Sequence, residues 1–192
     1  VTRRLLHDRQ GAAAVEFALI APALLMLVLG TFELGLAQYL RAVLEGAMQQ
    51  AGRNSTLQKS ASSQTGIDDY VRTQVRAVMP GANVTFSRRN YSTFSDVLTP
   101  EDFTDLNANG RYDSGECFID ENDNRTWDSD VAKSGQGGAN DVVLYTATVS
   151  YSSTLPMSAL GLSPVRELTA STTLRNQPYS SQASRSAVQI CG

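Results

Sequence analysis

From Ala12 to Phe32 the chain is an apolar run of twenty-one residues interrupted by a single charge, Glu16. A helix of that length spans about 31 Å, roughly the hydrocarbon thickness of a bilayer. The apolar pattern continues past the run, because Leu36, Leu40, Val43, Leu44, Ala47, Met48 and Ala51 recur at steps of three and four, with Gln38, Arg41, Glu45 and Gln49 between them. This spacing predicts one helix over 12–52: the first half is apolar on every side, and the second half presents one stripe to a soluble domain. Pro22, inside the run, removes a backbone hydrogen bond and is expected to bend the helix.

Downstream the period changes. Residues 53–64 are rich in Ser, Asn and Gln and read as a loop. Thr65 is placed to cap a short helix ending before Pro80, with Ile67, Tyr70, Val71, Val75 and Val78 on one face. Three segments then alternate as half-buried strands do: 83–88 through Val84 and Phe86, 142–152 through Val143, Tyr145, Ala147, Val149 and Tyr151, and 166–175 through Leu168, Ala170, Thr172 and Leu174. The predicted class is therefore α+β: a long N-terminal helix, transmembrane in its first half and amphipathic in its second, packed on a small antiparallel sheet. The expected organisation is a basic leader over 1–11, the long helix over 12–52, and an α+β domain over 53–192 that carries an acidic insertion at 101–130.

Charge sharpens this division. The formal net charge is -3 over 192 residues, which gives no global case for nucleic-acid binding. Arg3, Arg4 and Arg9 precede the apolar run and no cation occurs from Ala12 to Leu40, so the positive-inside bias puts the N-terminus in the cytoplasm and the rest outside. His7 is the only histidine, which argues against a His-dependent active site and for a non-enzymatic protein. A carboxylate at Glu16 is costly in lipid unless it is protonated, paired or solvated near the headgroups.

The order Arg9-Gln10-Gly11-Ala12-Ala13-Ala14-Val15-Glu16-Phe17, followed by Pro22 and a leucine-rich run, resembles the N-terminus of TadE-like pseudopilins, minor components of tight-adherence (Tad/Flp) pilus systems. The strand Leu168 to Arg175 leading into Asn176-Gln177-Pro178-Tyr179 resembles the end of such domains more weakly. The resemblance implies cleavage of the leader between Gly11 and Ala12 by a membrane-bound prepilin peptidase. Glu16 would then be the fifth residue of the mature chain, where it would pair with the new α-amino group of a neighbouring subunit, and Phe17 and Pro22 would belong to the assembly helix. It also implies other pilin subunits and an inner-membrane assembly platform as partners, membrane lipid around the helix, and a single-pass inner-membrane protein with its C-terminal domain in the periplasm, or carried into an extracellular pilus. The other reading is an unprocessed, single-pass, calcium-binding periplasmic membrane protein.

The acidic insertion has its own pattern. Asp105, Asn107, Asn109, Asp113 and Glu116 fall at positions 1, 3, 5, 9 and 12 of a loop with Gly110 at 6 and the Arg111 carbonyl at 7. This is the ligand spacing of an EF-hand-type calcium loop. A second copy begins fifteen residues later with Asp120, Asn122, Asn124, the Thr126 carbonyl and Asp128 at the same positions, but it has Arg125 at 6, Val131 at 12, and its last acid, Asp130, one place early. One calcium ion is expected, and a second is left open. Cys117 directly follows the first loop and Cys191 is the penultimate residue; in an oxidising periplasm the two can form a disulfide.

Overall fold

The computed structural model describes residues 10–55, 64–153, 155, 161, 163–178, 182, 185 and 187–191. The basic leader before Gln10 and most of the polar segment after Ser55 lie outside the described residues. Helix α1, Gln10–Ser55, is a single helix with Pro22 inside it. It ends three residues later than the sequence pattern predicts. Up to Phe32 nearly every residue is exposed, and from Glu33 onward one face is covered. Leu40, Leu44, Ala47, Met48 and Ala51 are buried as the stripe predicts.

Helix α2, Gln64–Val78, packs beside α1. Thr65 lies one residue inside α2, so it is not the cap that the sequence suggests. Ile67, Val71 and Val75 are buried, whereas Tyr70 is exposed and leaves the predicted apolar face. Four strands form an antiparallel sheet in the order β3-β1-β4-β5: β1 (Asn83–Tyr91), β3 (Lys133–Ser134), β4 (Val142–Ser152) and β5 (Val165–Arg175). β1 runs three residues beyond the expected 83–88. Its extension pairs Asn90 with Val143 and Tyr91 with Val142, completing the ladder along β4.

The two helices lie on one face of this sheet, with Val84, Tyr145, Ala147, Val149 and Ala170 buried beneath them. Gly52 permits the closest approach, because a Cβ there would meet Thr172 Cγ2 and Leu174 Cδ2 of β5 at 3.0 Å. A polar connection crosses the layer where Arg88 of β1 pairs with Asp68 of α2 at 2.5 Å and lies over the Tyr145 ring at 4.2 Å. The Tyr145 hydroxyl donates to Asp68 Oδ1 at 2.6 Å. Burial and this carboxylate push the Tyr145 phenol well above its ordinary value.

The chain after β5 returns across the sheet. The Asn176 amide donates to the Gln136 and Gly138 carbonyls, Gln182 donates to Asp141 at 2.7 Å, and Arg185 donates to Asn90 at 2.6 Å. The sequence suggests a loose polar tail over 180–187, but Gln182 and Arg185, two of its three described members, are docked, while Ala187 is exposed. Strand β6 (Val188–Ile190) then pairs antiparallel with β2 (Phe118–Asp120), and Cys191 forms a disulfide with Cys117. The strap therefore joins the sheet to the acidic insertion.

Candidate functional site

The insertion between β1 and β3 is built on a fifteen-residue repeat. Residues 101–115 and 116–130 share Glu101 with Glu116, Phe103 with Phe118, Asp105 with Asp120, Asn107 with Asn122, Asn109 with Asn124, aromatic Tyr112 with Trp127, and Asp113 with Asp128. In each loop the first aspartate folds the chain onto its own carboxylate. Asp105 accepts from the Asn109 and Gly110 amides at 3.2 and 2.8 Å, and Asp120 accepts from the Asn124 and Arg125 amides at 3.3 and 2.7 Å. The asparagines repeat the correspondence: Asn107 Oδ1 accepts from the Asn109 amide and Asn109 Oδ1 from that of Arg111, as Asn122 and Asn124 accept from Asn124 and Thr126.

Positive φ also repeats, at 59° for Ala108 and 68° for Asp123, then 74° for Gly110 and 64° for Arg125. The left-handed bend that glycine supplies in the first loop is thus made by Arg125 in the second, at a steric cost that a non-glycine residue bears.

The ninth position gathers the asparagine amides. Asp113 Oδ2 accepts from Asn107 and Asn109 at 2.7 and 2.6 Å, and Asp128 Oδ2 from Asn122 and Asn124 at 2.7 and 2.5 Å. The amide hydrogen bonds, that of Asn107 foremost, hold the Asp113 carboxyl below the usual carboxylate range.

The twelfth position is where the two loops exchange parts. Glu116 closes the first loop by accepting from the amides of Leu106 and Asp113 at 2.8 and 2.9 Å. The corresponding amides of the second loop, those of Glu121 and Asp128, donate to Glu101 at 2.9 and 3.1 Å. Glu101 therefore occupies in the second loop the place of Glu116 in the first. It is 1% exposed, and that burial pushes its carboxyl above the ordinary value.

Asp130, which the sequence reading assigns to the second loop, turns away. It pairs with Arg89 and accepts from the Tyr91 hydroxyl at 3.1 Å. Its proximity in sequence is misleading because the chain has already left the loop to enter β3. The signal for Glu101 was present in the repeat, since Glu101 precedes Asp105 by the same four residues that separate Glu116 from Asp120.

The two copies meet across a local two-fold relation. Phe103 bridges Phe118, with the Thr104 amide donating to the Cys117 carbonyl and the Ile119 amide to that of Asp102, both at 2.8 Å. Tyr112 stacks on Trp127 at 4.9 Å, flanked by Phe103 edge-on to Trp127 and Phe118 edge-on to Tyr112. Every partner in these contacts is the repeat equivalent of the other or is matched by an equivalent pair. A polar groove of about 480 Å³ between β1 and the second loop opens Asn122, Asn124 and Asp128 to solvent. Among the described residues, no group of three or more His, Cys, Asp or Glu side chains is drawn together as a metal-holding cluster. Each loop carries its own acids at positions 1 and 9 with asparagine between them, and is closed by Glu116 in the first and Glu101 in the second.

The other candidate residues lie at the opposite end. Gly11, Ala12, Glu16, Phe17 and Pro22 are all exposed on the bare part of α1, within a helix of 43 described residues long and apolar enough to cross a membrane. Residues 11–53 match a family model described as TadE-like protein. No curated protein and no solved structure matches the chain. The match covers α1 and stops where the α+β domain begins, so the acidic insertion lies outside it.

Proposed function

We propose, from the match of residues 11–53 to the TadE-like family, that this chain is a Tad pilus-associated protein, a processed minor pilin or pseudopilin assembled through α1. The observation that carries the reading is α1 itself. Its first half is unpacked, apolar and matched to the TadE-like family, and it continues without a break into a half that anchors a folded domain. An apolar surface of this length needs lipid or other apolar helices around it.

In this reading a prepilin peptidase cuts between Gly11 and Ala12, the N-terminus faces the cytoplasm, and the α+β domain lies in the periplasm. Glu16 would meet the amino group created by cleavage on a neighbouring subunit, so that two charges costly in lipid set the stagger between helices. The role is structural and not catalytic. Mass spectrometry of the membrane-extracted protein tests it: a mature chain beginning at Ala12 is the expected result. A stable protein with its leader intact, in cells that hold the peptidase, overturns it in favour of an unprocessed envelope protein.

The proposed role of the insertion is to bind calcium, with Glu101 completing the second loop. What supports two equivalent sites is the repeated amide-to-carboxylate pattern, which brings the same aspartates, asparagines and closing glutamate together in both loops. Asp105, Asn107, Asn109, the Arg111 carbonyl, Asp113 and Glu116 would serve one ion; Asp120, Asn122, Asn124, the Thr126 carbonyl, Asp128 and Glu101 would serve the other. The asparagine side chains would turn their carbonyl oxygens to the cation, whose charge would offset the mutual repulsion of the acids. Calorimetric titration of the chelator-treated protein with calcium is expected to give two sites per chain. One site, lost in Asp105→Ala and kept in Glu101→Ala, would confine the reading to the first loop, and no heat with no change of melting in chelator would end it.

A further inference from the structure

We propose that Asn109 is a covalent modification site, at which opening of the first loop permits spontaneous deamidation that then holds the loop open. Asn109 and Gly110 form the only Asn-Gly pair in the sequence. In such a pair the backbone nitrogen of the glycine attacks the asparagine amide carbon, because no side chain on the glycine crowds the approach. The step closes a five-membered succinimide: the Gly110 nitrogen bonds to Asn109 Cγ and gives up its proton, the Cγ to Nδ2 bond breaks, and ammonia leaves. Water then adds to either imide carbonyl and opens the ring, giving aspartate or isoaspartate. The sum is asparagine plus water to aspartate plus ammonia, with nothing oxidised or reduced.

While the loop is closed, each group in this step is committed elsewhere. The Gly110 amide donates to Asp105 Oδ2 at 2.8 Å. Asn109 Nδ2 donates to Asp113 Oδ2 at 2.6 Å, and Asn109 Oδ1 accepts from the Arg111 amide at 2.7 Å. The nucleophile and the carbon it must reach are turned to different partners, and an intramolecular attack proceeds only from a geometry that brings the two into contact. Water has access throughout: both residues are exposed, and a Cβ on Gly110 would meet no atom within 4 Å. Local opening of the loop is therefore the gate.

Conversion removes what closed the loop. A carboxylate at 109 has no hydrogen to give Asp113, so the hydrogen bond of 2.6 Å becomes an approach of two like charges. Of its two asparagine donors, Asp113 keeps Asn107. Isoaspartate also lengthens the backbone by one carbon where Gly110 reaches back to Asp105. The second loop is an internal comparison, since Asn124 contacts Asp128 and Thr126 in the same way but is followed by Arg125, whose side chain crowds the nitrogen. The change runs one way, so it accumulates in copies whose first loop has opened.

The test uses the full chain in detergent with its disulfide intact, and in chelator, so that it is independent of the calcium reading. The folded protein and the same chain in concentrated urea are held in one mildly alkaline buffer, and peptide mapping by mass spectrometry follows the mass gain at 109 and 124. Asn109 should convert several-fold faster in urea than in the folded protein, and Asn124 should lag behind it in urea. Asp105→Ala should raise the folded rate at 109 toward the rate in urea. An Asn109 that stays unconverted in urea, or converts there no faster than Asn124, overturns the site. Equal rates at 109 with and without urea overturn the gate, and a folded Asp105→Ala rate equal to the parent's overturns the part played by Asp105. Asn109→Asp should speed amide exchange several-fold at 106–113 and leave 121–128 unchanged. Exchange equal to the parent's in both loops overturns the claim that conversion holds the loop open.

Discussion

The sheet with its helices and the acidic double loop are stable for opposite reasons. In the first, Leu40, Leu44, Met48, Val71, Val75 and Val149 are removed from water between layers, and their contribution grows with buried apolar area, about 25 cal/mol per Å². In the second, the buried groups include the carboxylates of Glu101, Glu116 and Asp120, held by backbone amides that point at them. Burying a carboxylate without such donors costs several kcal/mol. The loops therefore depend on every donor being in place, around a small aromatic cluster. One chain thus combines a core held mainly by apolar burial with a lobe held by buried acids and a disulfide, and the C-terminal strap joins the two.

The largest expected break in this arrangement is covalent. Replacing both Cys117 and Cys191 by serine opens a connection between residues 74 apart, and a loop of that size predicts a loss of about 4 kcal/mol. The short β6 to β2 ladder, three residues long, has little independent stability. Urea unfolding should show the lobe melting before the sheet, and hydrogen exchange should locate the lost protection at 101–130 and 188–190.

Next is Glu101→Ala, which strands the Glu121 and Asp128 amides in a buried site and is expected to cost about 3 kcal/mol. The same change should unsettle the second loop far more than the first, which amide exchange can resolve loop by loop. A smaller effect belongs to Gly110→Ala. Open space surrounds the position, so the cost is the backbone conformation alone at a φ of 74°, about 1 kcal/mol, read as a shift in the urea midpoint.

The smallest effect near neutral pH belongs to the core. The Tyr145 phenol is raised in the folded state by burial and by Asp68. The unfolded chain thus ionises first, near pH 10. The contribution is complete below that value and falls as pH rises beyond it. Midpoints at pH 8 and pH 10.5 should differ more in the parent than in Tyr145→Phe.

The strands over 142–152 and 166–175 were legible because their alternate residues meet a single core, and a period of two survives in any sequence that must do so. The stripe on α1 was legible for the same reason at a period of three to four. Tyr70 was misread because its spacing fits the α2 stripe while its ring remains in water. The calcium-type spacing was visible as a repeat, but its closing residue was sought at position 12, next in the chain. Glu101 lies before the first loop and reaches the second only because the Phe103 to Phe118 bridge sets the copies face to face. Asp130 was misassigned by the same assumption.

The sequence alone determined the periodic and the local: which stretch is long and apolar enough to span a bilayer, which faces are buried, where the acidic repeat lies, and that residues 11–53 resemble the TadE-like family. These depend on neighbours within a turn or a strand, whose geometry is the same wherever the element sits. Tertiary structure decided which glutamate closes which loop, and that the C-terminal strap docks on Asn90 and Asp141 before reaching Cys117. Each of those contacts joins residues from different elements, or from opposite ends of a repeat. Their partners are set by how layers and loops pack, a property that no local spacing encodes.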